Sequence, residues 1–170
     1  MMHKPSKLAV NVSARQFRQP DFVAQIRKVL EASCAKPTRL KLELTESLVM
    51  EDVQDTIVKM QAIQRLGVSF SMDDFGTGYS SLSYLARLPL DQLKIDAAFV
   101  RNLSKKGNDA TIARTIITMG REMAMNVIAE GVETVEQREF LEIHGCQAYQ
   151  GYLFSRPLPL EEFEEFVRRV

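Results

Sequence analysis

Cysteine is scarce in this 170-residue chain: Cys34 and Cys146 are the whole complement, and their spacing matches no metal-binding or redox pattern. So sparse a pair points to a reducing compartment, and both are read as buried packing residues. Long apolar runs are missing, since none approaches the roughly 18 residues of a membrane-spanning helix. The opening Met1-Met2-His3-Lys4-Pro5-Ser6 is too polar and short for a signal peptide, so a cytoplasmic setting without membrane insertion is expected. Net charge is absent as well. Twenty-two Lys and Arg balance 22 Asp and Glu, which excludes a global field drawing the chain to a DNA or RNA polymer or to an anionic membrane. No low-complexity linker divides the sequence, and no repeated signature supports a solenoid. What remains, 45% hydrophobic and 26% charged, is the composition of one globular domain over residues 1–170.

Six segments rich in β-branched and apolar residues predict strands: LAVNVS from Leu8, LKLELTE from Leu40, VSFSMDDF from Val68, LKIDAAFV from Leu93, NVIAEGV from Asn126 and AYQGYLF from Ala148. Between them run helical spacings, such as Phe22, Ile26, Val29 and Leu30, or Ile57, Met60 and Ile63, or Ile112, Ile116, Ile117 and Met123. Asp21 and Thr134 read as helix starts, Gly67 and Gly145 as helix stops. Alternation with connections too long for hairpins predicts an α/β fold with a parallel sheet, doubly wound or closed as a barrel.

Ligand chemistry in such folds gathers at the carboxyl ends of the strands. The predicted exits carry Asn11 and Ser13, Glu43 and Glu46, Asp73 and Asp74, Lys94 and Asp96, Glu130 and Glu133, then Gln150. Singly, each has a plain role in a turn or cap. Converging on one rim, the carboxylates would repel one another unless a cation neutralised them. A set of hard oxygens without histidine or cysteine points to magnesium, manganese or calcium, and such a rim with one amide and one lysine suits phosphoryl chemistry. His3 and His144 stand outside it; His144, before Gly145, fits a helix end. Gly76 and Gly78 permit a tight turn after the paired aspartates, and GTG lacks the pattern of a phosphate loop, so a mobile rim loop is the reading.

The same residues fall in ordered motifs: NVS at 11–13, ELTES at 43–47, DDFGTGYSSL at 73–82, LKID at 93–96, AEGVE at 129–133 and QGYLFSRP at 150–157. Together they resemble the EAL domain of bacterial cyclic di-GMP phosphodiesterases over nearly the whole chain. The resemblance implies a TIM-like (β/α) barrel that hydrolyses one phosphodiester of cyclic di-GMP to linear pGpG with Mg2+ or Mn2+, calcium being non-productive. It implies Asn11, Glu43, Asp73 and Glu130 as metal ligands and Asp74 as holder of a second metal or its water. Lys94 would lie beside the nucleophilic water, making Lys94, Glu130 and Asp74 the catalytic set. Gln150 and Arg156 would contact substrate, and Glu46 and Glu133 would anchor the DDFGTGYSSL loop.

One departure matters. The family's Glu-Ala-Leu run occurs nowhere in this sequence. The expectation is therefore an amino-terminally truncated, incomplete barrel of about six parallel strands, short of one carboxylate ligand and of an arginine that contacts substrate. Six strands do not close an eight-stranded barrel, so LAVNVS would present an unpaired edge. A second copy of the chain, a separate amino-terminal fragment or the Glu161–Val170 helix is expected to cover it. Three functions stay open: a phosphodiesterase, a binding module that holds cyclic di-GMP without cutting it, and a purely interactive domain.

Overall fold

The computed structural model describes residues 7–76, 82–103 and 107–169. His3 and the loop positions from Thr77 to Ser81, Gly78 among them, lie outside the described residues. Six strands form one sheet: β1 (Leu8–Asn11), β2 (Leu40–Thr45), β3 (Ser69–Phe75), β4 (Gln92–Ile95), β5 (Asn126–Ala129) and β6 (Ala148–Tyr149). Helices join and flank them: α1 (Ala14–Phe17), α2 (Phe22–Ser33), α3 (Glu46–Glu51), α4 (Val53–Gln64), α5 (Leu82–Leu85), α6 (Ala97–Arg101), α7 (Asn108–Glu122), α8 (Val135–Ile143) and α9 (Leu160–Arg169). Among the described residues no helix is long and apolar enough to cross a membrane.

Every strand pair is parallel, and spatial order follows chain order from β1 to β6. A doubly wound sheet reverses direction at a switch point; this one never does, which leaves the barrel alternative. The result is a curled half-barrel of six parallel strands matching EAL-type TIM-barrel structures.

Alternation along the strands explains why the sheet has an outside and an inside. Leu42, Leu44, Phe70, Met72, Leu93 and Ile95 are buried in the core cluster shared with Met60, Ile63, Ala113, Ile116 and Ile117 of the helices. Burying each large side chain contributes about 1.5–3 kcal/mol. The intervening residues are polar: Lys41 and Glu43, Ser69, Ser71 and Asp73, Gln92 and Lys94. Low in this inner layer, the Lys41 ammonium donates to Gln92 Oε1 at 2.6 Å and Ser71 Oγ reaches the same oxygen at 3.2 Å.

Local signals set the boundaries. Ser13 caps α1 and Thr134 caps α8, each in a reciprocal box with a glutamine three residues on. Asp21 stands at the start of α2 but makes no side-chain cap. Gly67 and Gly145 follow helices α4 and α8 with φ of +97° and +92°, conformations that suit glycine. His144 ends α8 with Nδ1 2.7 Å from Phe140 O.

Three sequence expectations are corrected. The LKIDAAFV strand stops at Ile95, because Asp96 accepts from Ala98 N at 2.6 Å and starts α6. AYQGYLF yields only the two residues of β6 before a turn. Cys34 is exposed; it occupies the left-handed position ending α2, a site chosen by helix termination, whereas Cys146 is buried as expected.

Candidate active site

Three adjacent strands deliver Glu43, Asp73 and Lys94 to one inner-face cluster, and Glu130 joins it from just beyond β5. Lys94 is its hub. The ammonium lies 2.8 Å from Glu43 Oε2, 3.1 Å from Asp73 Oδ1 and 2.6 Å from Glu130 Oε1. Burial alone would lower its pKa, but the hydrogen bonds to Glu130 and Glu43 and the Glu130 charge outweigh this and push it above the ordinary lysine value. Three carboxylates against one ammonium leave an excess of negative charge. Gln150, just beyond β6, donates from Nε2 to Glu130 Oε1 at 2.7 Å.

The paired aspartates lie inside β3, as the VSFSMDDF strand reading had them. Met72 pairs with Leu93 and Phe75 with Ile95, so two residues, Asp73 and Asp74, oppose the single residue Lys94. Consecutive side chains normally point to opposite faces, and this bulge suspends the rule. Asp74 takes φ +55°, a left-handed conformation that aspartate tolerates better than most residues, and its N–H donates to Asp73 Oδ1 at 3.0 Å. Its carboxyl shares a hydrogen bond with Asp96; burial first, then that bond and the Asp73 charge, pushes its pKa up. Glu130 is also pushed up, by burial above all, against the lowering pull of Lys94 and with help from Asp73 and Glu43.

Of the remaining expected residues, Asn11 ends β1 opposite Glu43, and every residue of β1 is exposed. Glu46 Oε2 accepts from Gly76 N at 3.2 Å, at the entrance to the loop whose further positions lie outside the described residues. Glu133 and Arg156 are apart from the lysine cluster. They line a cavity of about 540 Å³ with Glu130, Gln150 and Tyr152, and the Arg156 guanidinium stacks 4.7 Å from the Tyr152 ring. Arg101 and the α9 aromatics Phe163 and Phe166 also line it. Sequence reasoning passed over these three, although the spacing of Phe163 and Phe166 marks one face of a helix. It placed Asp96 at a strand exit beside Lys94 but gave it no role of its own, since its contact with Asp74 depends on the bulge.

The donor set fits a hard divalent cation: oxygen ligands only, more negative charge than Lys94 offsets, and two carboxyls whose protonation is favoured by burial first and by neighbouring carboxylates second. Among the described residues, no three acidic, histidine or cysteine side chains are arranged to hold an ion as they stand.

The EAL domain family model matches residues 1–157. The chain belongs to the EAL domain family. This EAL domain is similar to the cyclic di-GMP phosphodiesterase NbdA of Pseudomonas aeruginosa, 45% identical over 166 residues that make up 98% of this chain and 21% of NbdA. It is similar in structure to the MucR phosphodiesterase of Pseudomonas aeruginosa in its c-di-GMP complex, with TM-score 0.89 and 44% identity over 92% of this chain and 64% of that one. BlrP1 of Klebsiella pneumoniae, solved as a manganese/cy-diGMP complex, gives TM-score 0.81 and 34% identity over 89% of this chain and 39% of that one; a calcium/cy-diGMP complex matches equally. The EAL domain described here spans about a fifth of the length of the curated relatives it matches.

The raised carboxyl pKa values carry a pH prediction. A group whose folded pKa lies above its unfolded value stabilises the fold at pH below the unfolded value, and that contribution is lost as pH rises through the folded one. Asp74 and Glu130 are such groups. Their contribution to stability should fall as pH climbs from about 4, the ordinary carboxylate range. Thermal midpoints of metal-free protein against pH test this, with Asp74→Asn and Glu130→Gln expected to flatten the profile. A wild-type contribution that grows with pH at these two positions would contradict it.

Proposed function

We propose that this EAL domain binds cyclic di-GMP and, with magnesium or manganese, hydrolyses one phosphodiester bond to give linear pGpG. The observation that carries the reading is the gathering of Glu43, Asp73 and Glu130 around Lys94 on the inner face of the sheet. Relatives solved with cy-diGMP and manganese or calcium support the same ligand and ion class. Asn11, Glu43, Asp73 and Glu130 would hold a metal ion, and Asp74 a second ion or its water. When bound, such an ion polarises the phosphate and lowers the pKa of its water.

The chain's own groups do the rest. Lys94 offsets negative charge beside the attacked phosphorus and steadies the carboxylates around it. Gln150 fixes the Glu130 carboxylate by hydrogen bonding. Glu46 tethers the start of the 77–81 loop at Gly76, and Glu133, which follows β5, would serve as a second support. Arg156 offers a cation in the cavity that adjoins Glu130. Calcium, larger and looser in its geometry, is expected to bind without turnover.

Binding without hydrolysis is the second reading. It is favoured by the pairing of Glu43, Asp73 and Glu130 with the Lys94 ammonium, which already takes up the carboxylates that a catalytic metal would need.

Incubation with cyclic di-GMP and manganese separates the two. Under the first reading pGpG appears, and Asp73→Ala, which removes a ligand itself, reduces its formation by more than the roughly 10–100-fold that loss of a ligand's supporting partner costs. Saturable binding without product supports the second. Neither binding nor product would leave an interaction domain and remove both.

A further inference from the structure

We propose that Lys59 is a positioning residue for the candidate metal site: by tying the end of α1 to α4 it fixes where Asn11, just ahead of α1, presents its side-chain amide. That role rests on the reading of Asn11 as a metal-holding residue. Lys59 belongs to α4 and is only 8% exposed. Its ammonium donates to Phe17 O at 3.0 Å and lies 2.8 Å from Asp55 Oδ2, one turn earlier on the same helix. It also stands 5.6 Å from the centroid of the Phe17 ring, within the range of a cation–π contact.

Phe17 is the last residue of α1, and the final carbonyls of a helix have no partner within it. Lys59 supplies one from another helix. Burying an ammonium is costly unless it is paired and hydrogen-bonded, and an apolar side chain of similar length would fill the space beside Phe17 at lower cost. What an apolar chain would not supply is a directed bond to one carbonyl, which holds the end of α1 at a set place on α4. Packing secures that end only in part. A cleft of about 360 Å³ is lined by Phe17 and Arg18 at the end of α1 and by Leu48, Asp52 and Thr56 around the α3–α4 junction. The Arg18–Glu51 ion pair beside it is more than half exposed on both sides, and such pairs contribute little.

The chain between Asn11 and Phe17 is short and committed throughout. Val12 N donates to Glu43 O at 3.0 Å, and the Val12 side chain lies in the core. Ser13 closes its reciprocal box with Gln16, so Ser13 to Phe17 forms one capped turn. A shift of Phe17 is therefore passed through Ser13 and Val12 to Asn11, whose Cα pairs with that of Glu43.

The test couples two positions in the 170-residue chain. Manganese affinity is measured by titration calorimetry on wild type, Lys59→Met, Asn11→Ala and the double variant, at a temperature where all are folded. Lys59→Met should weaken manganese by about tenfold, the low end of what outer partners of a metal ligand are worth. In the Asn11→Ala background the same substitution should change affinity by no more than about twofold, since the group it positions is gone. Lys59→Arg, which keeps a cationic donor, should recover most of the loss, and Arg18→Ala should bind like wild type. Metal-free protein supplies a second readout. The Asn11 side-chain amide resonances, identified by their loss in Asn11→Ala, should shift in Lys59→Met while those of Gln150 stay in place. Wild-type affinity in Lys59→Met, an equal loss with and without Asn11, or unmoved Asn11 resonances would each overturn the assignment. Wild-type affinity in Asn11→Ala would overturn it from the other side, by removing Asn11 from the metal site, and moved resonances would then show that the tether itself survives.

Discussion

Replacing Lys94 with methionine is expected to destabilise the fold by about 3–5 kcal/mol, because removing one partner leaves buried charges uncompensated. The Lys94 side chain is 6% exposed, and the carboxylates of Glu43, Asp73 and Glu130 that it contacts are 10%, 15% and 19% exposed. Methionine fills similar volume, so the loss reports charge more than packing. At roughly 2–4 °C per kcal/mol for a chain of this size, the thermal midpoint should fall by roughly 6–20 °C near neutral pH. Two further readouts isolate the electrostatic cause. Manganese should stabilise Lys94→Met more than wild type, since the freed carboxylates gain a cation, and the deficit should shrink in acid as they protonate. Lys41→Met is the comparison: Lys41 donates to neutral Gln92, so its loss should cost less. An unchanged midpoint for Lys94→Met, with no added response to manganese, would remove the cluster from the account of both stability and site.

Much of this site could be read in the sequence because β-strands encode their faces with a period of two. Leu42, Leu44, Phe70, Met72, Leu93 and Ile95 alternate with Lys41, Glu43, Ser69, Ser71, Asp73, Gln92 and Lys94, and that pattern announces an apolar outer face and a polar inner one. Strand order was not legible, since pairing is a long-range choice that neither doubly wound nor barrel patterning distinguishes locally. Nor was the bulge. Asp73 and Asp74 read as consecutive residues at the end of a strand, and only pairing against β4 reveals that both oppose Lys94. Asp96 suffered from the same blindness twice: it caps α6 through a local signal, Asp before Ala-Ala, yet it meets Asp74 only because of the irregular register. Cys34 was misjudged for a different reason. Its left-handed place at the end of α2 is set by where the helix stops, which residue hydrophobicity does not report.

Gly151→Ala should be comparably damaging although it touches no charge. A Cβ at that position would lie 2.2 Å from Val132 O and 2.3 Å from Val132 N, contacts that no real Cβ makes, and the obstacle is backbone with no rotamer to move. The same peptide groups are already committed: Val132 N donates to Gln150 O and Val132 O accepts from Leu153 N, each at 3.0 Å. Relief therefore requires the segment after β6 to lift from the segment after β5, breaking both bonds. Overpacking together with two lost hydrogen bonds gives about 3–5 kcal/mol. The functional consequence is separable from the stability loss, because Gln150 is the neighbouring residue and holds Glu130 Oε1 at 2.7 Å. At a temperature where Gly151→Ala is still folded, manganese affinity should drop with it, and Gln150→Ala should reproduce that drop without the fall in midpoint. Should Gly151→Ala melt like wild type, the close apposition of the two segments, and with it the placement of Gln150 against Glu130, would be wrong.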